Sequence, residues 1–140
     1  MVSRRKARSI ALQILYELDC TRHRAEEVLS RLVYDETVDE ETYRFVASLV
    51  EGVQTYRRQI DSIIQEHAPA FPVDQMAPID RTILRIALYE LVFAQDIPVK
   101  VSINEAVELA KRFGGDGTPR LVNGVLGAVA AEERRQRPGE

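Results

Sequence analysis

The run Arg4-Arg5-Lys6-Ala7-Arg8 concentrates positive charge at the start of a chain whose net charge is -3. Cations at that density bind polyanions, and a phosphate backbone is the obvious one; such attraction weakens steeply with salt. Read as a helix at ~100° per residue, the segment places Arg5, Arg8, Ser9, Leu12 and Tyr16 on one outer face. Basic residues beside an aromatic suit single-stranded RNA, whose unpaired bases can stack on a ring. Leu12 and Tyr16 have no place in the apolar stripe of this helix, which marks the face as a contact surface. The alternative is that the arginines only solvate the chain start, with Leu12 and Tyr16 forming a protein-association surface.

Other chemistry finds little support. No serine, cysteine or carboxylate sits in a recognisable nucleophile or acid-base motif, so the chain is not expected to be an enzyme. Gly114-Gly115-Asp116-Gly117 lacks the lysine and the preceding strand of a phosphate-binding loop. Cys20 and His23 are three apart, but a structural metal site needs about four ligands. No metal and no cofactor are expected. One cysteine allows no internal disulfide and fits a reducing, cytoplasmic setting. No apolar run approaches a membrane span, and no uninterrupted apolar core follows the basic start as a signal peptide requires.

The elements that must position these residues are helical almost throughout. Ala7, Ile10, Ala11, Ile14, Leu15 and Leu18 form the stripe of the first helix, with Ser3 as its N-cap. A second helix is predicted over about 25–34, a third over about 40–54 capped by Thr37 or Asp39, and a fourth over about 57–67. The acidic stretch from Glu26 to Glu41 reads as a solvated face. The two prolines of 68–72 mark a joint between an N-terminal subdomain, about 1–68, and a C-terminal one, about 73–134. A fifth helix opens at Pro78 and runs to about residue 93, apolar nearly all round and therefore central. Asp80 near its start is favoured by the helix dipole or faces a partner. Arg81 and Arg85 are expected to ion-pair with Glu90 or Glu105 and hold the bundle in register.

A sixth helix over about 103–113 has Ser102 as N-cap, Glu105 completing a capping box, and Glu108 paired with Arg112. Thr118-Pro119 looks like the cap and first turn of a last helix. Gly124 and Gly127 inside that helix imply close approach of a neighbour. Asn123 either satisfies a buried group, ties the loop at 114–118, or faces a partner.

Taken together, several segments resemble the NusB family of transcription antitermination factors. They are Arg4-Arg5-Lys6-Ala7-Arg8 with Ala11-Leu12-Gln13-Ile14-Leu15-Tyr16, then Ile79-Asp80-Arg81-Thr82-Ile83-Leu84-Arg85-Ile86-Ala87-Leu88-Tyr89-Glu90-Leu91, Asp96-Ile97-Pro98, Ile103-Asn104-Glu105-Ala106-Val107-Glu108-Leu109-Ala110-Lys111 and Val122-Asn123-Gly124-Val125-Leu126. The resemblance implies an all-α fold of about seven helices in two packed bundles. It implies binding of boxA-type single-stranded RNA in nascent ribosomal transcripts, together with the ribosomal protein NusE, in an elongation complex with RNA polymerase. It allows either a monomer or a homodimer. By the same resemblance Arg4, Arg5, Lys6, Arg8 and Tyr16 bind RNA, and Leu12, Asp80, Thr118 and Arg120 belong to the partner or RNA surface. The chain departs from the family where Gly117-Thr118 replaces an acidic residue followed by serine, and where Leu121 replaces an aromatic.

Overall fold

The computed structural model describes residues 2–35 and 38–136, with the side chain of residue 136 excepted. Among them are six α-helices and no strand: α1 (Arg4–Cys20), α2 (Ala25–Val33), α3 (Glu40–His67), α4 (Pro78–Leu88), α5 (Val99–Phe113) and α6 (Thr118–Gln136). The backbone divides into two compact units, Met1–Thr55 and Tyr56–Glu140, with α3 contributing to both. The proline segment at 68–72 therefore falls inside the second unit. None of the described helices is long and apolar enough to cross a membrane.

The predicted third and fourth helices are one helix of 28 residues. The reason lies in their stripes: Val46, Val50, Val53, Ile60 and Ile64 are all buried. Val53 and Ile60 are two turns apart, so one apolar face continues across 54–57, where no glycine or proline interrupts it. Asp39 caps α3, its Oδ1 accepting from the Thr42 amide at 2.8 Å. The alternative cap, Thr37, lies outside the described residues.

In the first unit α1 packs on α2. Glu17 joins them, accepting from Arg31 at 2.9 Å and 3.0 Å and bonding His23 Nδ1 at 2.6 Å. The Arg31 bond, then the His23 bond, hold the Glu17 carboxyl below its ordinary range.

In the second unit α4 is central, as its apolar circumference predicts. Every residue from Thr82 to Leu88 is buried, and α4 packs on both α5 and α6. After Leu88 the helix widens into a π-helical turn, Tyr89–Ala94. Gln95 ends it in the left-handed region at φ 55°, its amide donating to the Glu90 carbonyl at 2.9 Å. Arg85 forks onto Asp61, at 2.8 Å and 3.0 Å, a partner on another helix that the local sequence does not point to. Arg81 donates to the carbonyls of Val73 and Asp74, at 3.2 Å and 3.1 Å.

Three local expectations for α5 and α6 are corrected. Helix α5 starts four residues before Ile103, with Pro98 at its N-cap, so Ser102 lies buried in the first turn instead of capping. Glu108 meets Lys111 at 3.5 Å, while Arg112 lies over the Phe113 ring. Gly124 and Gly127 are exposed, with nothing within 4 Å of where a Cβ would stand; no neighbouring helix approaches them among the described residues.

Candidate nucleic-acid interface

Ser3 starts α1 by accepting from the Lys6 amide at 3.1 Å, which fixes the register of the cations that follow. Arg4, Arg5 and Lys6 are exposed. The guanidinium of Arg4 lies 4.0 Å from the Phe45 ring centroid, a cation–π contact that orients the first turn. In the sequence Phe45 carries no sign of this role, since nothing near it in the chain is basic except Arg44.

Arg8 and Leu12 do not belong to the open face. Arg8 is 5% exposed, with its guanidinium 5.6 Å from the Phe45 centroid, and Leu12 is fully buried. The physical reason is a rotation of the buried arc. The sequence stripe is centred between Ile10 and Leu15; the observed arc runs from Ile14 through Ala7, Ala11, Leu15, Arg8 and Leu12 to Ser9, its centre roughly 80° further round at ~100° per residue. Ile10 is accordingly only half-buried. What remains open along α1 is Arg4, Arg5, Lys6, Gln13, Tyr16 and Cys20. Tyr16 is 42% exposed, and its hydrogen bond and charge coupling with Cys20 push the phenol above its ordinary range. The ring is neutral near pH 7, as an unperturbed phenol is, and able to stack.

The start of α1 concentrates positive charge at the positive end of the helix dipole; α5 and α6 also lack an acid in the first turn but hold a single cation each there. Helices α2, α3 and α4 carry Glu26 and Glu27, Glu40 and Glu41, and Asp80 in their first turns, where the dipole favours anions. The first turn of α1 holds no acid and is crowded with cations. Positive end and positive side chains repel each other, and an external anion relieves that repulsion.

In the second unit, Asp80 and Thr118 meet. The Thr118 hydroxyl donates to Asp80 Oδ1 at 2.7 Å and accepts from the Gly115 amide at 2.9 Å. Thr118 is 3% exposed and Asp80 half-buried, so Thr118 does not present a surface. It is the first residue of α6, not its cap: the Gly117 carbonyl accepts the first helical bond, from Leu121. The clamp leaves so little room that a Cβ on Gly114 would stand 2.5 Å from the Thr118 side chain. Arg120 is exposed two residues on, and Asn123 is exposed and not the group that holds the loop.

The fold and this basic helix start define a small all-helical protein with cations crowded at one helix end. Its fold is that of T. maritima NusB, with a TM-score of 0.86 at 32% identity over 94% of this chain and 92% of that one. A crystal structure of antitermination factors NusB and NusE in complex with dsRNA matches with a TM-score of 0.82 at 26% identity, covering 92% of this chain and 96% of that one. The transcription antitermination protein NusB of Dehalococcoides mccartyi (strain CBDB1) is 48% identical over 91% of this chain and 90% of its own length. The sequence pattern of the NusB family matches residues 5–131, and the chain belongs to that family.

Proposed function

We propose that this chain is an RNA-binding transcription antitermination factor. It takes boxA-type single-stranded RNA in nascent ribosomal transcripts, together with NusE, and joins the RNA polymerase elongation complex to suppress termination. The observation that carries the reading is the first turn of α1, with Arg4, Arg5 and Lys6 exposed where a helix favours anions. Arg5, Lys6 and Tyr16 meet RNA, and Arg4 does so from its seat on Phe45. Arg8 and Leu12 support that helix from beneath. Arg120 contacts RNA or protein from the first turn of α6, next to a loop that Asp80 and Thr118 hold in shape. Similarity to the NusB–NusE–dsRNA structure supports both partners.

The test is fluorescence anisotropy on a short boxA-like RNA, a scrambled strand and a duplex of the same sequence. Each is measured with and without NusE at two salt concentrations. The reading expects preference for the single-stranded boxA-like RNA, tightening with NusE and weakening with salt. Equal binding to all three RNAs would remove boxA recognition, and absence of binding in every condition would remove the RNA role. Sizing of the free chain then decides whether it is a homodimer.

A further inference from the structure

Within the second unit, the C-terminal half of α3 and helix α4 enclose a cleft of about 540 Å³. Its lining includes the guanidiniums of Arg57, Arg81 and Arg85 against the carboxylates of Asp61 and Asp74, which leaves an excess of positive charge. The groups are held in place: Arg85, 5% exposed, is forked by Asp61, and the Val73 and Asp74 carbonyls hold Arg81. Arg57 stands at the rim, its Nε 3.9 Å from Asp61.

An aromatic shelf adjoins this cleft. Tyr56, the chain neighbour of Arg57, stacks on Phe93 with ring centroids 4.4 Å apart and planes 17° from parallel. Tyr89 extends the stack at 6.2 Å. Phe93 and Tyr89 project from the π-helical turn that follows α4, and such turns are frequent at functional sites. Tyr56 keeps 37% of its surface exposed. Burial, then Asp96, raises the Tyr89 phenol, and Glu90 adds to the effect.

A phosphate alone would need only the cleft and an apolar group only the shelf. A nucleotide has both a planar base and an anion; here Tyr56 precedes Arg57 in α3, and Tyr89 and Phe93 follow Arg85 by four and eight residues, so both complements come from the same two stretches of chain. We propose that this face is a second nucleotide subsite, with a base stacked on Tyr56 and its phosphate held by Arg57 and Arg81. The subsite rests on the RNA reading and adds to it a place for an unpaired nucleotide apart from α1; a base can lie flat on the shelf only when unstacked from its neighbours.

The experiment uses the full chain. Adenosine 5′-monophosphate, adenosine and inorganic phosphate are titrated while NMR follows the Tyr56 and Phe93 rings and the Arg57 side chain. The nucleotide is expected to shift all three and to saturate at lower concentration than either fragment. In parallel, single-stranded RNA affinity is measured for the parent, Tyr56→Leu, Arg57→Gln and Arg5→Gln. Tyr56→Leu keeps an apolar contact with Phe93 but loses the stacking face, and should weaken binding by about ten-fold. Arg57→Gln should reduce the salt slope by about 0.7. If both variants bind RNA as the parent does while Arg5→Gln binds more weakly, the subsite is wrong and the RNA reading stands. If the parent binds no RNA, both fall together.

Discussion

Arg5 and Arg8 belong to the same basic run, yet the structure gives them opposite tasks, and substituting each with glutamine separates the two. Arg5 is exposed in the first turn of α1. Removing its charge relieves repulsion from the positive helix end, worth about 0.3–1 kcal/mol. Surface pairing of its guanidinium returns about 0–1 kcal/mol of that, so the melting temperature should stay within a few degrees of the parent. For RNA, one phosphate contact is lost, and the slope of log affinity against log salt should fall by about 0.7. Arg8 is 5% exposed and lies over Phe45. Arg8→Gln removes buried packing and a partly desolvated cation–π contact. Together these amount to about 1–3 kcal/mol, or roughly 3–10 °C in melting temperature for a chain of this size. The salt slope should be unchanged once the folded fraction is accounted for. Calorimetry supplies the melting temperatures and anisotropy at four salt concentrations supplies the slopes. The reasoning is refuted if Arg8→Gln lowers the slope without loss of stability, since Arg8 would then reach solvent and phosphate.

The remaining expectations concern the second unit. Gly124→Ala and Gly127→Ala should each raise stability by about 0.5–1 kcal/mol in chemical denaturation, because both sites are open and helical; a loss would mean that a backbone comes close after all. Thr118→Val breaks the bonds to Asp80 and Gly115 and should lower stability by about 1–3 kcal/mol, whereas Thr118→Ser should preserve them, with hydrogen exchange at the Gly115 amide as the readout. His67 bonds the Ile63 carbonyl at 2.9 Å and Glu132 at 3.2 Å; burial opposes its charge, but these contacts prevail and its pKa is raised above the ordinary 6.5. Its contribution is thus full below pH 6.5 and lost as pH rises through the folded value. Denaturation midpoints should accordingly show a fall over that window that is missing in His67→Gln, and identical pH profiles for the two proteins would refute the assignment.

Much of the architecture was legible because apolar periodicity reports burial directly. The continuous apolar circumference of 79–93 placed α4 at the centre, and Ser3 and Pro78 marked two helix starts correctly. Where reading failed, the deciding partner was remote in sequence. Ser102 looked like a cap because Glu105 follows three residues later, but Pro98 and the buried Val99 draw the helix start forward. Gln54 to Arg57 looked like a break because the chain is polar there, although the stripe resumes in phase at Ile60. Arg85 is paired by Asp61, which is 24 positions away and on another helix, and nothing local points to it.

By itself, the sequence determined the all-helical class, the family, and the crowding of cations at the start of α1, since composition, periodicity and motif order are properties of one dimension. Tertiary structure alone decided which of those cations are available. A helix stripe fixes burial only to within about half a turn, and the packing of α1 rotates its buried face far enough to enclose Arg8 and Leu12 while leaving Arg5, Lys6 and Tyr16 open. The same holds for Thr118, whose hydroxyl serves Asp80 and Gly115 instead of a partner, and for the aromatic shelf, which exists only because a π-helical turn brings Phe93 onto Tyr56.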